Sequence, residues 1–63
     1  MISSREIIKK LEADGWFAVM TRGDHLQLKH PVKPGKVTVP HPVKDIGIAL
    51  IKSIERQAGI SLR

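Results

Sequence analysis

The sequence has no cysteine. That excludes a disulfide and any metal site built on thiolates. Aromatic side chains are almost absent: Trp16 and Phe17 are the only two, and they are adjacent. Two neighbouring rings do not make the broad base-stacking platform of an RRM-type sheet. No apolar run approaches the roughly 20 residues that cross a membrane. The opening MISSREIIKKLEADG carries charges where a signal peptide has an uninterrupted apolar segment. A soluble, cytoplasmic protein without membrane contact is expected. Acidic residues number only 6 and are scattered, which leaves a two-carboxylate hydrolase or a two-metal nuclease without its groups. A Walker loop, G-x-G-x-x-G, H-E-x-x-H and a serine nucleophile elbow are missing as well.

What is present is positive charge. Lys and Arg total 11 of 63 residues, for a net charge of +5. The isoelectric point is near 10.1. Phosphate-rich partners follow from that excess, because each neutralised phosphate releases a counterion. An acidic protein would be drawn by the same field. The length fits one domain, residues 1–63. A chain this short buries only about 60% of the surface it exposes when unfolded, so a partner protein would add stability it lacks.

The pattern of residues predicts helix, three strands, helix. Ser3 and Glu6 fit an S-x-x-E capping box. Ile7, Ile8 and Leu11 then share a face of a helix over 3–14, and Gly15 suits its C-terminal cap. Residues 16–21 are β-prone, with one of Trp16 and Phe17 directed to each side of the sheet. Residues 25–30 alternate, which puts Leu26, Leu28 and His30 on one face and His25, Gln27 and Lys29 on the other. Residues 36–39 form a short third strand that Pro40-His41-Pro42 ends. Asp45 is the expected N-cap of a second helix over 45–58, with Ile46, Leu50, Ile51, Ile54 and Ala58 as its buried stripe and Gly59 as its cap. Ile60 and Leu62 would fold back on the core. The short linkers make the sheet an antiparallel meander. The fold class is α+β, with both helices on one face and the other face bare.

Three histidines remain as candidates for chemistry. His25 opens the second strand on the bare face, and an imidazole exchanges a proton near neutral pH. Removing the proton from a ribose 2′-OH would create an internal nucleophile, and a cation would stabilise the phosphorane. Arg22 and Lys29 are the candidate cations. Gly23 permits close approach of backbone to phosphate, and Gln27 and Lys36 complete the candidate RNA-binding set. From spacing alone, an idle surface histidine in a hairpin is the commoner reading of His25. His30, on the apolar face, reads as a partly buried structural residue. His41 either fixes the turn by a hydrogen bond or serves as a second proton carrier; the structural role is preferred. Their irregular spacing argues against a zinc site.

The segment R-G-D-H-L-Q-L-K-H-P at 22–31 resembles the R-G-S-H-H-Q-[FL]-[KR]-H-P block of HicA toxins, the ribonuclease half of HicBA toxin–antitoxin systems. V-T-V-P-H-P-V-K-D-I at 37–46 is similar to that family's V-P-H-P stretch. The opening S-S-R-E-I-I-K-K-L-E-A-D-G-W and the closing Q-A-G-I also look like the family. The resemblance implies a fold like a double-stranded RNA-binding domain and cleavage of mRNA without metal or other cofactor. It implies His25 as the catalytic residue, a HicB-type antitoxin over the active face, and a free toxin that is monomeric. Asp24 stands where the family usually has serine, where it could orient the ring of His25 or repel a substrate phosphate. Leu26 replaces a frequent second histidine. A non-catalytic RNA-binding module of the same fold is the alternative that the charge supports equally.

Overall fold

A computed structural model describes residues 2–62. Ser3 starts the first helix, α1 (Ser4–Ala13), by accepting the Glu6 N–H on its Oγ at 3.2 Å. The helix stops in a Schellman turn: Trp16 N–H reaches the Leu11 carbonyl and Gly15 N–H the Glu12 carbonyl, each at 3.0 Å. Gly15 has φ +107°, a conformation that favours glycine. The His30 ring lies so close that a Cβ on Gly15 would fall 2.7 Å from its Nε2.

Three strands follow: β1 (Phe17–Arg22), β2 (His25–Lys29) and β3 (Val37–Pro40). They form one antiparallel sheet in the order β1-β2-β3. In its register Arg22 faces His25, and His25 faces Pro40 on the other side. Leu28 lies between Ala18 and Val37. The pairing shifts between Ala18 and Met20, so Val19 is the extra residue of a bulge in β1.

The second helix, α2 (Ile48–Ala58), begins three residues later than the sequence suggests. Its N-cap is Gly47, and Asp45 is not a cap. The reason is Ile46. It is buried, and its N–H donates to the Ile2 carbonyl at 2.8 Å in an isolated bridge. That bridge needs extended backbone, so residues 45–47 cannot be helical. Leu50 is 38% exposed and leaves the expected stripe to Ile51, Ile54 and Ala58. Gly59 ends the helix in the left-handed conformation as expected.

The core lies between the helices and one face of β2 and β3. It joins Ile7 and Leu11 of α1, Leu28, Val37 and Val39 of the sheet, and Ile51, Ile54 and Ala58 of α2. Trp16, Ile46 and Leu62 close its margins. Leu62 is fastened by its N–H to Glu55 Oε2 at 2.7 Å and by its carbonyl to Lys10 Nζ at 3.3 Å. The opposite face of the sheet carries no helix among the described residues. Among the described residues, no helix is long and apolar enough to cross a membrane.

Candidate functional site on the bare face of the sheet

His25 is exposed at the first position of β2, on the face away from the helices. Its strand neighbours alternate, so the burial of Leu28 on one side fixes His25 on the other. The ring has no hydrogen-bond partner among the described residues. Arg22 is its direct cross-strand partner, which puts the two Cβ atoms about 4.5–5.5 Å apart on one surface. The connection through Gly23 has φ +58° at that residue, with nothing within 4 Å of where a Cβ would stand. An incoming phosphate therefore meets open space, the guanidinium and the imidazole together.

The other candidate contacts are spread along the same face. Gln27 lies in the next row, between Met20 and Thr38. Lys29 comes a row further, opposite Phe17. Lys29 is four positions along the strand from His25, about 13 Å at the rise of a strand, so its ammonium does not share the environment of the imidazole. Lys36 is exposed and precedes Val37, the partner of Leu28, which places it at the Lys29 end of the sheet. The structure thus gathers Arg22, Gly23 and His25 at one end, and Lys29 and Lys36 at the other.

The two remaining histidines are engaged. His30 packs edge-on against Trp16 with ring centroids 5.2 Å apart. Its Nδ1 accepts N–H groups of Val32 and Lys33, both at 3.0 Å, so the hydrogen is on Nε2, which donates to the Asp14 carbonyl at 2.8 Å. Beside it, the Lys33 ammonium bonds Asp14 Oδ2 at 2.6 Å and the Ala58 carbonyl at 3.0 Å. That ammonium holds the Asp14 carboxyl below its ordinary value, against a smaller opposing effect of desolvation. The buried indole N–H of Trp16 makes no hydrogen bond of good geometry among the described residues, and as a weak donor toward Asp14 it lowers that carboxyl in the same sense as Lys33.

His41 lies on the helix side. Its Nδ1 is 2.7 Å from Oγ of Ser4, a buried residue of α1. The same hydroxyl accepts the Val43 N–H at 2.9 Å and lies 3.2 Å from the Val43 carbonyl. The Val43 carbonyl already accepts the Ser4 backbone N–H at 2.9 Å, so the hydroxyl hydrogen can go either to that carbonyl, with His41 donating from Nδ1, or to Nδ1, with the ring hydrogen on Nε2. The His41 N–H also donates to the Asp24 carbonyl at 2.7 Å, extending the ladder past β3. The peptide between His41 and Pro42 is cis. Nothing in the spacing of the sequence linked Ser4 to His41, which lie 37 residues apart. Among the described residues, no group of three or more His, Asp or Glu is arranged to hold a metal ion.

Comparison with known proteins places this geometry in a family. The family model described as HicA toxin of bacterial toxin-antitoxin matches residues 4–60. A solved structure titled "HicA3 and HicB3 toxin-antitoxin complex" contains a chain 35% identical to this one, with a TM-score of 0.82. The alignment covers 98% of this chain and 100% of that one. No curated protein matches. With nine-tenths of its length matched by the family and its α-β-β-β-α architecture reproduced in a relative, the chain belongs to the HicA toxin family.

Proposed function

We propose that this protein is an endoribonuclease that cleaves mRNA with His25 as its catalytic residue. The observation that carries the reading is the position of His25: exposed, without a side-chain partner, on the uncovered face, directly opposite Arg22. The neutral imidazole takes the proton of a ribose 2′-OH. The 2′-oxygen attacks the adjacent phosphorus, and the bond to the 5′-oxygen breaks as that oxygen takes a proton from solvent, while His25 later returns its proton to solvent. The products are a 2′,3′-cyclic phosphate and a 5′-hydroxyl end. Arg22 stabilises the charge that builds on the phosphorane. Gly23 leaves space for the backbone of the RNA, and Gln27, Lys29 and Lys36 contact nucleotides further along the strand.

His25→Ala removes the base. The expected loss is about 10²–10⁴-fold in cleavage rate, with stability within about 0.5 kcal/mol of the parent because the ring is on the surface. The assay counts new 5′-hydroxyl ends on a defined RNA, with chelator present throughout. A variant that still cleaves at the parental rate would falsify the assignment. RNA binding without new ends would identify a binding module.

The protein acts as the toxin of a toxin–antitoxin pair whose partner is a HicB-type antitoxin. Two things support this: the relative above is held in such a complex by its title, and the face that carries His25 also exposes Phe17 and Met20, apolar side chains available to a protein partner. Antitoxin bound there covers His25 and raises the melting temperature by mass action.

A further inference from the structure

A second basic feature lies around the end of the sheet from His25. An open cleft of about 440 Å³ is lined by Ser3, Ser4, Arg5, His41, Pro42, Val43 and Lys44. None of the lining residues is acidic. Arg5 and Lys44 are exposed, and neither forms an ion pair among the described residues, where Lys33 with Asp14 is the pair observed. Glu6 and Asp45 adjoin them in sequence, yet neither lines the cleft. His41 is the one lining imidazole, and the buried Ser4 hydroxyl fixes its orientation through Nδ1. Its Nε2 has no partner among the described residues. Two free cations around one opening form a receptor for an anion of phosphate size, and His41 adds a donor when Ser4 gives its hydrogen to Nδ1 and the ring hydrogen is on Nε2.

The cleft is next to the candidate site. The His41 N–H bonds the Asp24 carbonyl, and Asp24 immediately precedes His25. The His25 side chain is on the bare face, whereas His41 is on the helix side. A strand of RNA leaving His25 over the end of β2 and β3 therefore runs into the cleft. We propose that Arg5, Lys44 and His41 form a phosphate subsite, which holds a phosphodiester of the RNA strand neighbouring the one at His25. The inference rests on the ribonuclease reading for its ligand. It adds that the substrate wraps the end of the sheet, so that recognition needs linkages beyond the one that is cleaved.

The test has a binding arm and a cleavage arm. In the binding arm, the full chain carrying His25→Ala is titrated with a fluorescent single-stranded RNA at several salt concentrations. Arg5→Gln together with Lys44→Gln should weaken binding about tenfold at low salt and flatten the salt dependence by about 0.7 in the log–log slope, the value for one phosphate lost on a single strand. Lys52→Gln together with Arg56→Gln removes the same charge from exposed positions of α2 and should change the slope less. Equal effects of the two pairs mean a diffuse field and overturn the subsite. Unchanged RNA affinity with weakened antitoxin affinity also overturns it, in favour of an acidic protein contact.

In the cleavage arm, the Arg5/Lys44 pair is compared on a dinucleotide and on a longer RNA. KM should rise for the long substrate alone, with kcat retained on both. A rise on the dinucleotide as well overturns the subsite. The arms separate the two readings: if His25 proves dispensable for cleavage, the binding arm still decides whether the cleft takes RNA phosphate.

Discussion

The two edges of the sheet are built differently. In β3, residues alternate in burial, and Val37 and Val39 are fully enclosed between the helices. In β1 all six residues are exposed. Phe17 and Met20, at 48% and 51% exposure, are as open as side chains usually left in water. Both strands are rich in β-formers, so propensity does not separate them. What separates them is cover. Two helices of 10 and 11 residues are roughly 15–17 Å long, and they settle over β3 and β2, leaving β1 outside. One edge therefore supplies the stability and the other supplies accessible surface. The hairpin that carries Arg22 and His25 belongs to the second kind.

That contrast can be broken most directly by truncation. Ile54→Ala removes a fully buried side chain from the covered half and should cost about 2–5 kcal/mol. A chain of 63 residues has only about 3–9 kcal/mol to lose, so the variant should give up a large share of its stability and melt far below the parent by circular dichroism. Met20→Ala, in the uncovered half, should stay within about 0.5 kcal/mol of the parent. If the two variants melt alike, the division of labour between the edges is wrong.

A smaller loss is expected for Ser4→Ala. The substitution strips the shared hydroxyl from His41 and leaves the Val43 N–H without its partner. The expected cost is about 1–3 kcal/mol in urea unfolding. Gly15→Ala tests the junction between α1 and β1. It forces a side chain into φ +107° and drives a methyl against the His30 ring. A destabilisation of about 1–3 kcal/mol should follow, and the NMR shifts of the His30 ring should move while those of His25 do not.

The smallest effect concerns acid stability. The Asp14 carboxyl is held below its ordinary value of 3.8 by the Lys33 ammonium. A carboxyl lowered on folding adds stability that is complete above its unfolded value and lost as pH falls through the folded one. Asp14→Asn should therefore lower the melting temperature slightly at neutral pH and flatten its fall below about pH 4. A pair this open to solvent is screened, so salt should shrink the difference further. An unchanged acid limb would show that Lys33 stabilises the turn through the Ala58 carbonyl alone.

Much of this was legible in the chain itself. The order of elements followed from the Ser3 cap, from Gly15 and Gly59 at the helix ends, and from the two-residue alternation through β2. The face of His25 followed from that alternation, since Leu28 needs the core and its neighbours in the strand take the opposite side. The start of α2 did not follow. Asp45 has the chemistry of a cap, but burying Ile46 against Ile2 outweighs one local hydrogen bond, and that contact spans 44 residues. Leu50 has the right spacing for the buried stripe and still lies at its exposed margin, because the angle at which a helix meets a sheet is not encoded in its period.

The sequence by itself determined the local states: which residues cap, which alternate, and that a histidine follows a glycine turn on the uncovered side of a strand. Its basic excess determined the sign of the field it presents to a partner. Only the tertiary structure decided which cations share a surface with that histidine. It put Arg22 opposite His25, sent Lys29 and Lys36 to the far end of the sheet, and joined Arg5 and Lys44 around an imidazole fixed by Ser4. Local geometry is set by dihedral preferences and periodicity within a few residues. Charge clusters are set by which distant segments bury their apolar sides together, and that choice is made by the core as a whole.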